Sequence, residues 1–390
     1  MTAEPAPRRG PVPPIPLTVI TGFLGAGKTT LLNRLVKDAT LSDTALIINE
    51  FGDVGIDHLL VKPISDGVVL LQSGCLCCTL RGDLVEALES LLRDLDNGRV
   101  SFRRVMLETT GLADPAPVLQ TAMAHPYLVM RFRLDGVITL VDAVNGQATL
   151  DANEEAVKQV AFADRLVLTK TDLLAPQDRA AARQALTERL RALNPAAPIL
   201  DANAGEAPAT ALLNAGLYDP ERKSADVRRW LAHEAYLAAG EPHDHRHDHH
   251  HHDDRRHHHH DPNRHDARVR AFSLATDQAI PAGTVDMFLD LLRSVHGPNL
   301  LRVKGVVQLA ESPDSPLVIH GVQHVFHPPA RLDAWPDEDR RTRLVFIVRD
   351  IDPSEIQGLF QAFLGTPAVD RPDRAALVDN PLVPFGGIDR

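Results

Sequence analysis

The chain has 390 residues, of which 44% are hydrophobic and 24% charged, the balance of a globular protein long enough for two or three cores. Its formal net charge of −11 argues against nucleic-acid binding, which relies on a Lys/Arg excess, and no run reaches the roughly 18 apolar residues of a membrane span. The first 15 residues carry two arginines and several prolines but no apolar run, so they read as a flexible tail rather than an export signal, and the cytoplasm is the expected compartment.

From residue 16 to about 198, short apolar runs alternate with helical patterns. The runs are PLTVI, TALIIN, GVVLLQ, RRVMLE, DGVITLV, RLVLT and APIL. They are continuous and β-branched rather than alternating, as strands buried on both faces should be. Between them, Leu84, Leu88, Leu91, Leu92 and Leu95 line one face of a helix that Asp83 is placed to cap. A second helix spans APQDRAAARQALTERLRAL and stops at Asn194–Pro195. The alternation predicts an α/β fold, a doubly wound and mostly parallel sheet, in a domain of residues 16–239.

Residues 240–267 interrupt the pattern. Twelve of the chain's 19 histidines fall in this stretch, mixed with Asp and Arg and almost nothing apolar, which predicts a disordered linker with weak metal affinity. Regular structure resumes with RVRAFSLA as a strand and AGTVDMFLDLLRSVHG as a helix, whose Val285, Phe288, Leu289, Leu292 and Val295 share a face. Three more strands and a helix, SEIQGLFQAFL, complete a smaller α+β domain over 268–366, followed by a Pro-rich tail at 367–390. In VIHGVQHVFH, a straight strand would hold His320 and His324 about 13 Å apart and turn His327 to the other side, so structural or interface histidines are expected there rather than one metal site.

GFLGAGKTT matches G-x-x-x-x-G-K-[ST] from Gly22 to Thr29 and stands between a strand and a helix, the context a phosphate loop requires. Gly22, Gly25, Ala26, Gly27, Lys28, Thr29 and Thr30 are therefore the expected phosphate-binding residues, with Lys28 on the β- and γ-phosphates and Thr29 on Mg²⁺. RRVMLETTG ends a strand in Glu108, an acid suited to the Mg²⁺ shell, with the Gly111 amide placed to sense a γ-phosphate. At LVLTKTDL the carboxylate of Asp172 can accept both N1–H and N2–H of guanine, while the Lys170 stem lies along the base. Adenine offers no such pair of donors, which favours GTP over ATP; Asn is usual where Thr169 stands, so one base contact is weaker or replaced. No residue presents itself as the one that orients the hydrolytic water.

All three cysteines, Cys75, Cys77 and Cys78, fall within GCLCC. Their odd number and close spacing argue against a disulfide framework, leaving an open soft-metal site, a redox patch, or buried small hydrophobes. Glu50 and Asp53, in NEFGD, could complete such a site, contact the Mg²⁺ shell, or simply be solvated.

Taken in order, GFLGAGKTT, NEFGD, GCLCC, ETTGLADP, TKTD, LLRVKG and GVQHVFHPP resemble the CobW-like metal-chaperone GTPases over most of the chain. The resemblance implies a GTPase with Lys28, Thr29 and Glu108 at the reaction centre, and Lys170 and Asp172 reading guanine. Thr169 would be a variant the family tolerates. It further implies that Cys75, Cys77 and Cys78 carry Zn²⁺, or Co²⁺ or Ni²⁺, for a client metalloprotein. A homodimer is compatible with this reading. The competing readings are a histidine-rich metal-storage protein regulated by nucleotide, and an ATP-dependent kinase or transferase on the same loop.

Overall fold

The computed structural model describes residues 13–35, 37–38, 41, 43–49, 60–63, 69–73, 80–213, 268–327 and 329–365. The expected linker, the C-terminal tail and nearly all of the N-terminal tail lie outside these residues. In chain order the first domain comprises β1 (Ile15–Gly22), α1 (Lys28–Leu35), β2 (Thr44–Asn49), β3 (Leu60–Pro63), β4 (Val69–Ser73), α2 (Leu80–Asp96), β5 (Arg104–Glu108) and α3 (Ala116–Ala124). It continues through α4 (Leu128–Arg131), β6 (Phe132–Asp142), α5 (Gly146–Ala152), α6 (Glu154–Phe162), β7 (Arg165–Thr169), α7 (Arg179–Leu193), β8 (Ile199–Asp201) and α8 (Ala209–Leu212).

Its sheet has the order β3-β4-β2-β5-β1-β6-β7-β8. Every neighbouring pair is parallel except β3–β4 at the edge. The doubly wound expectation holds, and each of the seven apolar runs forms a strand. The edge strand β3 was not legible: LVKP is short, and its Pro63 suits an edge but not a central ladder. The α2 helix begins at Leu80, so Asp83 lies inside its first turn rather than capping it; Leu84, Leu88, Leu91 and Leu92 are buried as expected.

The second domain comprises β9 (Val269–Thr276), α9 (Ala282–His296), β10 (Leu300–Leu309), β11 (Ser312–Val322), β12 (Val325–Phe326), β13 (Ala330–Arg331), β14 (Thr342–Arg349) and α10 (Pro353–Phe363). Its antiparallel sheet has the order β12-β11-β10-β14-β9, with β13 pairing β11. Side chains are divided between two destinations, with the two-residue period of a strand interrupted in β10 by a register shift between Leu300 and Arg302. Leu300, Val303 and Phe346 pack with Val285, Phe288, Leu289 and Leu292 of α9 and Phe360 of α10. Leu301, Val322, Ile347 and Val269 instead join the core of the first domain. The two domains thus share a hydrophobic cluster. Val295, expected on the α9 core face, is 60% exposed, because it lies at the margin of the stripe in the last turn.

A buried polar cluster also joins the domains. Asp164, between α6 and β7, accepts from the Val137 amide at 2.9 Å and from Lys304 Nζ at 2.5 Å. Arg302 of β10 pairs with the same carboxylate and donates to the Phe162 carbonyl. Burial alone would raise the Asp164 pKa, but Arg302, Lys304 and His320 hold it well below the usual carboxylate range. His320 and His327 meet here, with ring centroids 5.2 Å apart. This corrects the expected opposed placement, which assumed a straight strand. The chain reverses at Gln323, whose φ is 53°, and β12 folds back so that the His327 amide donates to the His320 carbonyl at 2.9 Å. Burial, then Arg302, lowers the His320 pKa; burial chiefly lowers that of His327 to about 4.

Candidate nucleotide site

Strand β1 delivers the loop Phe23–Gly27 to the C-terminal edge of the sheet, and α1 starts directly at Lys28. At Gly22 the backbone has φ 142°, and a Cβ would lie 2.5 Å from the Leu140 carbonyl oxygen, so only glycine makes this exit. Lys28 is buried, and its Nζ donates to the carbonyls of Gly22 at 2.8 Å and Phe23 at 3.2 Å. Burial lowers its pKa, while the carboxylate of Glu108 pulls in the opposite direction. The ammonium is therefore held over the loop before any phosphate arrives.

Glu108 ends β5, the neighbour of β1, and is 5% exposed. After it, the Thr109 hydroxyl donates to Thr21 Oγ1 at 2.8 Å and the Thr109 amide to the Ile20 carbonyl at 2.9 Å, bringing the two strand ends together. Gly111 then packs on Leu24: a Cβ there would lie 2.6 Å from the Leu24 amide nitrogen. Between Leu24–Thr30 and Glu108–Gly111 lies an open cleft of about 400 Å³. It gathers Gly25, Gly27, Lys28, Thr29, Thr30, Glu108 and Gly111. Backbone amides, one ammonium and the following helix N-terminus make it suited to polyphosphate. The Thr29 hydroxyl and the Glu108 carboxylate are hard oxygen donors on its wall, a set that fits Mg²⁺.

A second cleft, about 260 Å³, adjoins it and is lined by Gly27, Thr30, Arg34, Thr169, Lys170, Asp172 and Asn203 among others. The Thr169 hydroxyl donates to the Ala26 carbonyl at 2.8 Å, tying the end of β7 to the phosphate loop. Thr169 therefore has a structural partner where a longer side chain is usual. Lys170 is left-handed, with φ 59° and ψ 25°, an uncommon state for a residue with a Cβ. Its Nζ donates to Asp142 Oδ2 at 2.7 Å, which fixes the side chain beside the cleft. Asp142 is fixed in turn by the amides of Val144 and Asn145 and by Asn145 Nδ2. Asp172 Oδ1 accepts from Asn203 Nδ2 at 2.7 Å.

Sequence reasoning did not single out Asn203, Asp142 or Arg34. Arg34 donates to the carbonyls of Ala202 at 2.9 Å and Ala207 at 2.7 Å, so α1 braces the loop after β8. The signal for Asn203 was present in DANAGEAP, a run of small and polar residues after the last apolar strand. Only folding brings it beside Asp172, 31 positions earlier.

Cys75, Cys77, Cys78, Glu50 and Asp53 lie outside the described residues. Their attachment points are described. Asn49 of β2 is in register with Ser73 of β4, and Ile48 pairs with both Gln72 and Glu108. β2 and β4 are thus adjacent strands that end side by side, at Asn49 and Ser73, on the edge that carries the cleft. Among the described residues no group of three or more His, Cys, Asp or Glu is arranged for an ion, and no helix is long and apolar enough to cross a membrane.

Comparison with known families gives the matching frame. A family model for the CobW/HypB/UreG nucleotide-binding domain matches residues 16–201, and one for the cobalamin synthesis protein CobW C-terminal domain matches 269–364. The chain belongs to the CobW/HypB/UreG family. It is accordingly a P-loop GTPase. The family member named zinc chaperone YjiA, from Escherichia coli, is 32% identical over 89% of this chain and 98% of its own length. A zinc chaperone CobW from Sinorhizobium is 31% identical over 90% of this chain and 97% of its own. The crystal structure of Zn(II)-bound YjiA GTPase superposes with a TM-score of 0.65 at 29% identity, covering 90% of this chain and 99% of that one.

Proposed function

We propose that the protein is a zinc chaperone whose metal affinity is set by the nucleotide it holds, and which delivers Zn²⁺ to a client metalloprotein. The observation that carries this reading is the register at the sheet edge. Glu108 is paired with Ile48 and Ile48 with Gln72, so the end of β4, which the cysteines follow in sequence, lies two strands from Glu108, roughly 10 Å at the spacing of strands. An ion held by Cys75, Cys77 and Cys78, with Glu50 or Asp53 beside them, would then lie close to the phosphate cleft. Two full-length relatives bearing the name zinc chaperone support the choice of metal.

In this reading the phosphates of GTP lie along Gly22–Thr30, with Lys28 on the β- and γ-phosphates and the Gly111 amide at the γ-phosphate. Thr29 and Glu108 would hold Mg²⁺, which neutralises charge on the phosphate oxygens. Guanine enters the second cleft, where Asp172 accepts its N1–H and N2–H, pre-oriented by Asn203, and the stem of Lys170 covers the base. Water attacks the γ-phosphorus as the bond to the β–γ bridging oxygen breaks, giving GDP and phosphate. Lys28 and the loop amides stabilise the charge that develops on the leaving oxygen. Loss of the γ-phosphate then releases the loop after Glu108, and with it the grip on the metal.

Equilibrium dialysis tests the coupling. Zn²⁺ should bind about one per chain, at least roughly tenfold tighter with a non-hydrolysable GTP analogue than with GDP. The triple variant Cys75→Ser, Cys77→Ser, Cys78→Ser should lose that binding. Equal affinity in both nucleotide states, or unchanged binding by the triple variant, would sink the proposal. For the base site, Asp172→Asn is expected to weaken GDP binding by roughly 10- to 100-fold, the worth of a charged hydrogen bond, with ATP binding unaffected. Calorimetric titration of both nucleotides reads this directly.

A further inference from the structure

Gln159 lies in the middle of α6 and is 1% exposed. Its Nε2 donates to the carbonyls of Gly111 and Ala113, each at 3.1 Å. The neighbouring Lys158 pairs with Asp114 of the same loop at 3.3 Å. The other half of the Gln159 amide is wasted: its Oε1 is buried with no hydrogen-bond partner among the described residues. A buried amide oxygen without a partner is destabilising, and a methionine of similar length would fill the space without that cost. The amide is explained by what its NH₂ holds, the loop between Glu108 and α3.

The helix that carries Gln159 is gripped at both ends by the second domain. Arg349 of β14 pairs with Glu154 in its first turn, and Arg302 of β10 donates to the carbonyl of Phe162, its last residue. The far end of the Gly111 loop runs into α3, where Gln120 Nε2 donates at 2.7 Å to Oε1 of Gln323, at the β11–β12 turn. The second domain thus holds both elements that bracket the loop. A shift of α6 as a rigid body carries Gln159, and the Gly111 and Ala113 carbonyls follow.

We infer that Gln159 is a positioning residue through which the C-terminal domain sets the Gly111 amide at the γ-phosphate, so that docking of that domain and preference for GTP over GDP are coupled. This rests on the cleft assignment under Proposed function. Coupling of this kind is reciprocal: a bound γ-phosphate tightens the docking, and tighter docking favours GTP. GDP does not reach Gly111 and is indifferent to the lever.

The test uses the full chain and measures Kd for GDP and for a non-hydrolysable GTP analogue. Gln159→Glu removes the donors at constant shape, and Gln159→Met removes all polarity. Both are expected to keep GDP affinity within about 3-fold and to weaken the analogue by roughly tenfold, the worth of one lost hydrogen bond. GDP binding reports that the variants are folded. Arg349→Ala, remote from both clefts, is expected to move the analogue-to-GDP ratio in the same direction by roughly 3-fold or more. An unchanged ratio in the Gln159 variants, or a change there without one in Arg349→Ala, overturns the inference and leaves the cleft assignment standing. A wild-type protein that does not distinguish the analogue from GDP would instead remove the cleft assignment itself.

Discussion

Lys28→Ala should lower kcat/KM for GTP by roughly 10²–10³-fold, the usual effect of removing one preorganised donor from developing negative charge. The size follows from how the side chain is held. Nζ already spans the carbonyls of Gly22 and Phe23, and Glu108 favours its charged form against the effect of burial. The phosphates therefore meet a cation that needs no reorganisation. Alanine removes the charge but leaves the β1 exit intact, since that exit depends on Gly22 and its contact with Leu140. Thermal unfolding of the apo variant should stay within about 2 kcal/mol of wild type, because the loss of two hydrogen bonds is offset by no longer burying a charge. Steady-state hydrolysis and a melting curve together decide the matter. A variant that hydrolyses GTP within a few-fold of wild type would place the reaction elsewhere.

The largest expected loss of stability lies between the domains. Asp164→Ala should cost about 3–5 kcal/mol in urea unfolding, because it strands buried cations rather than deleting one contact. Arg302 is 4% exposed, and it and Lys304 converge on the single carboxylate. The Val137 amide, which donates to Asp164 Oδ2, would lose its partner as well. Retention of wild-type stability by this variant would mean that water or another group replaces the carboxylate.

The same cluster gives stability a defined dependence on pH. Burial keeps His327 neutral in the folded protein down to about 4, whereas in the unfolded chain it titrates near ~6.5. Between those values the unfolded state takes up a proton that the folded state refuses, so stability falls as pH falls. For His327 alone the loss approaches about 3 kcal/mol by pH ~4. His320 faces Arg302, Lys304, His327 and Asp164, and its lowered pKa acts in the same direction. Asp164, with its depressed pKa, contributes stability that is present above the unfolded carboxylate value of ~3.9 and is lost only at still lower pH. Unfolding measured across pH 7 to 4 should show a steady decline. A double variant, His320→Gln with His327→Gln, should flatten it.

Periodicity and local motifs carried much of this protein's architecture. Buried parallel strands announce themselves as uninterrupted β-branched runs, and all seven strands of the parallel run were legible for that reason. The GFLGAGKTT loop, the acid at the end of β5 and the TKTD segment could be singled out equally early, because each is a contiguous segment that stands out by spacing along the chain. Tertiary structure alone decided what depends on distant residues meeting. Asn203 reaches Asp172, Arg34 braces the loop after β8, and Gln159 holds a loop 48 positions away. In each case one polar side chain looks like any other until the fold brings its partners within reach. The histidines show the same limit, since a turn at Gln323 converts an apparent separation along a strand into a pair of facing rings. Local pattern specifies which face a side chain occupies; what lies opposite that face is set by the folded whole.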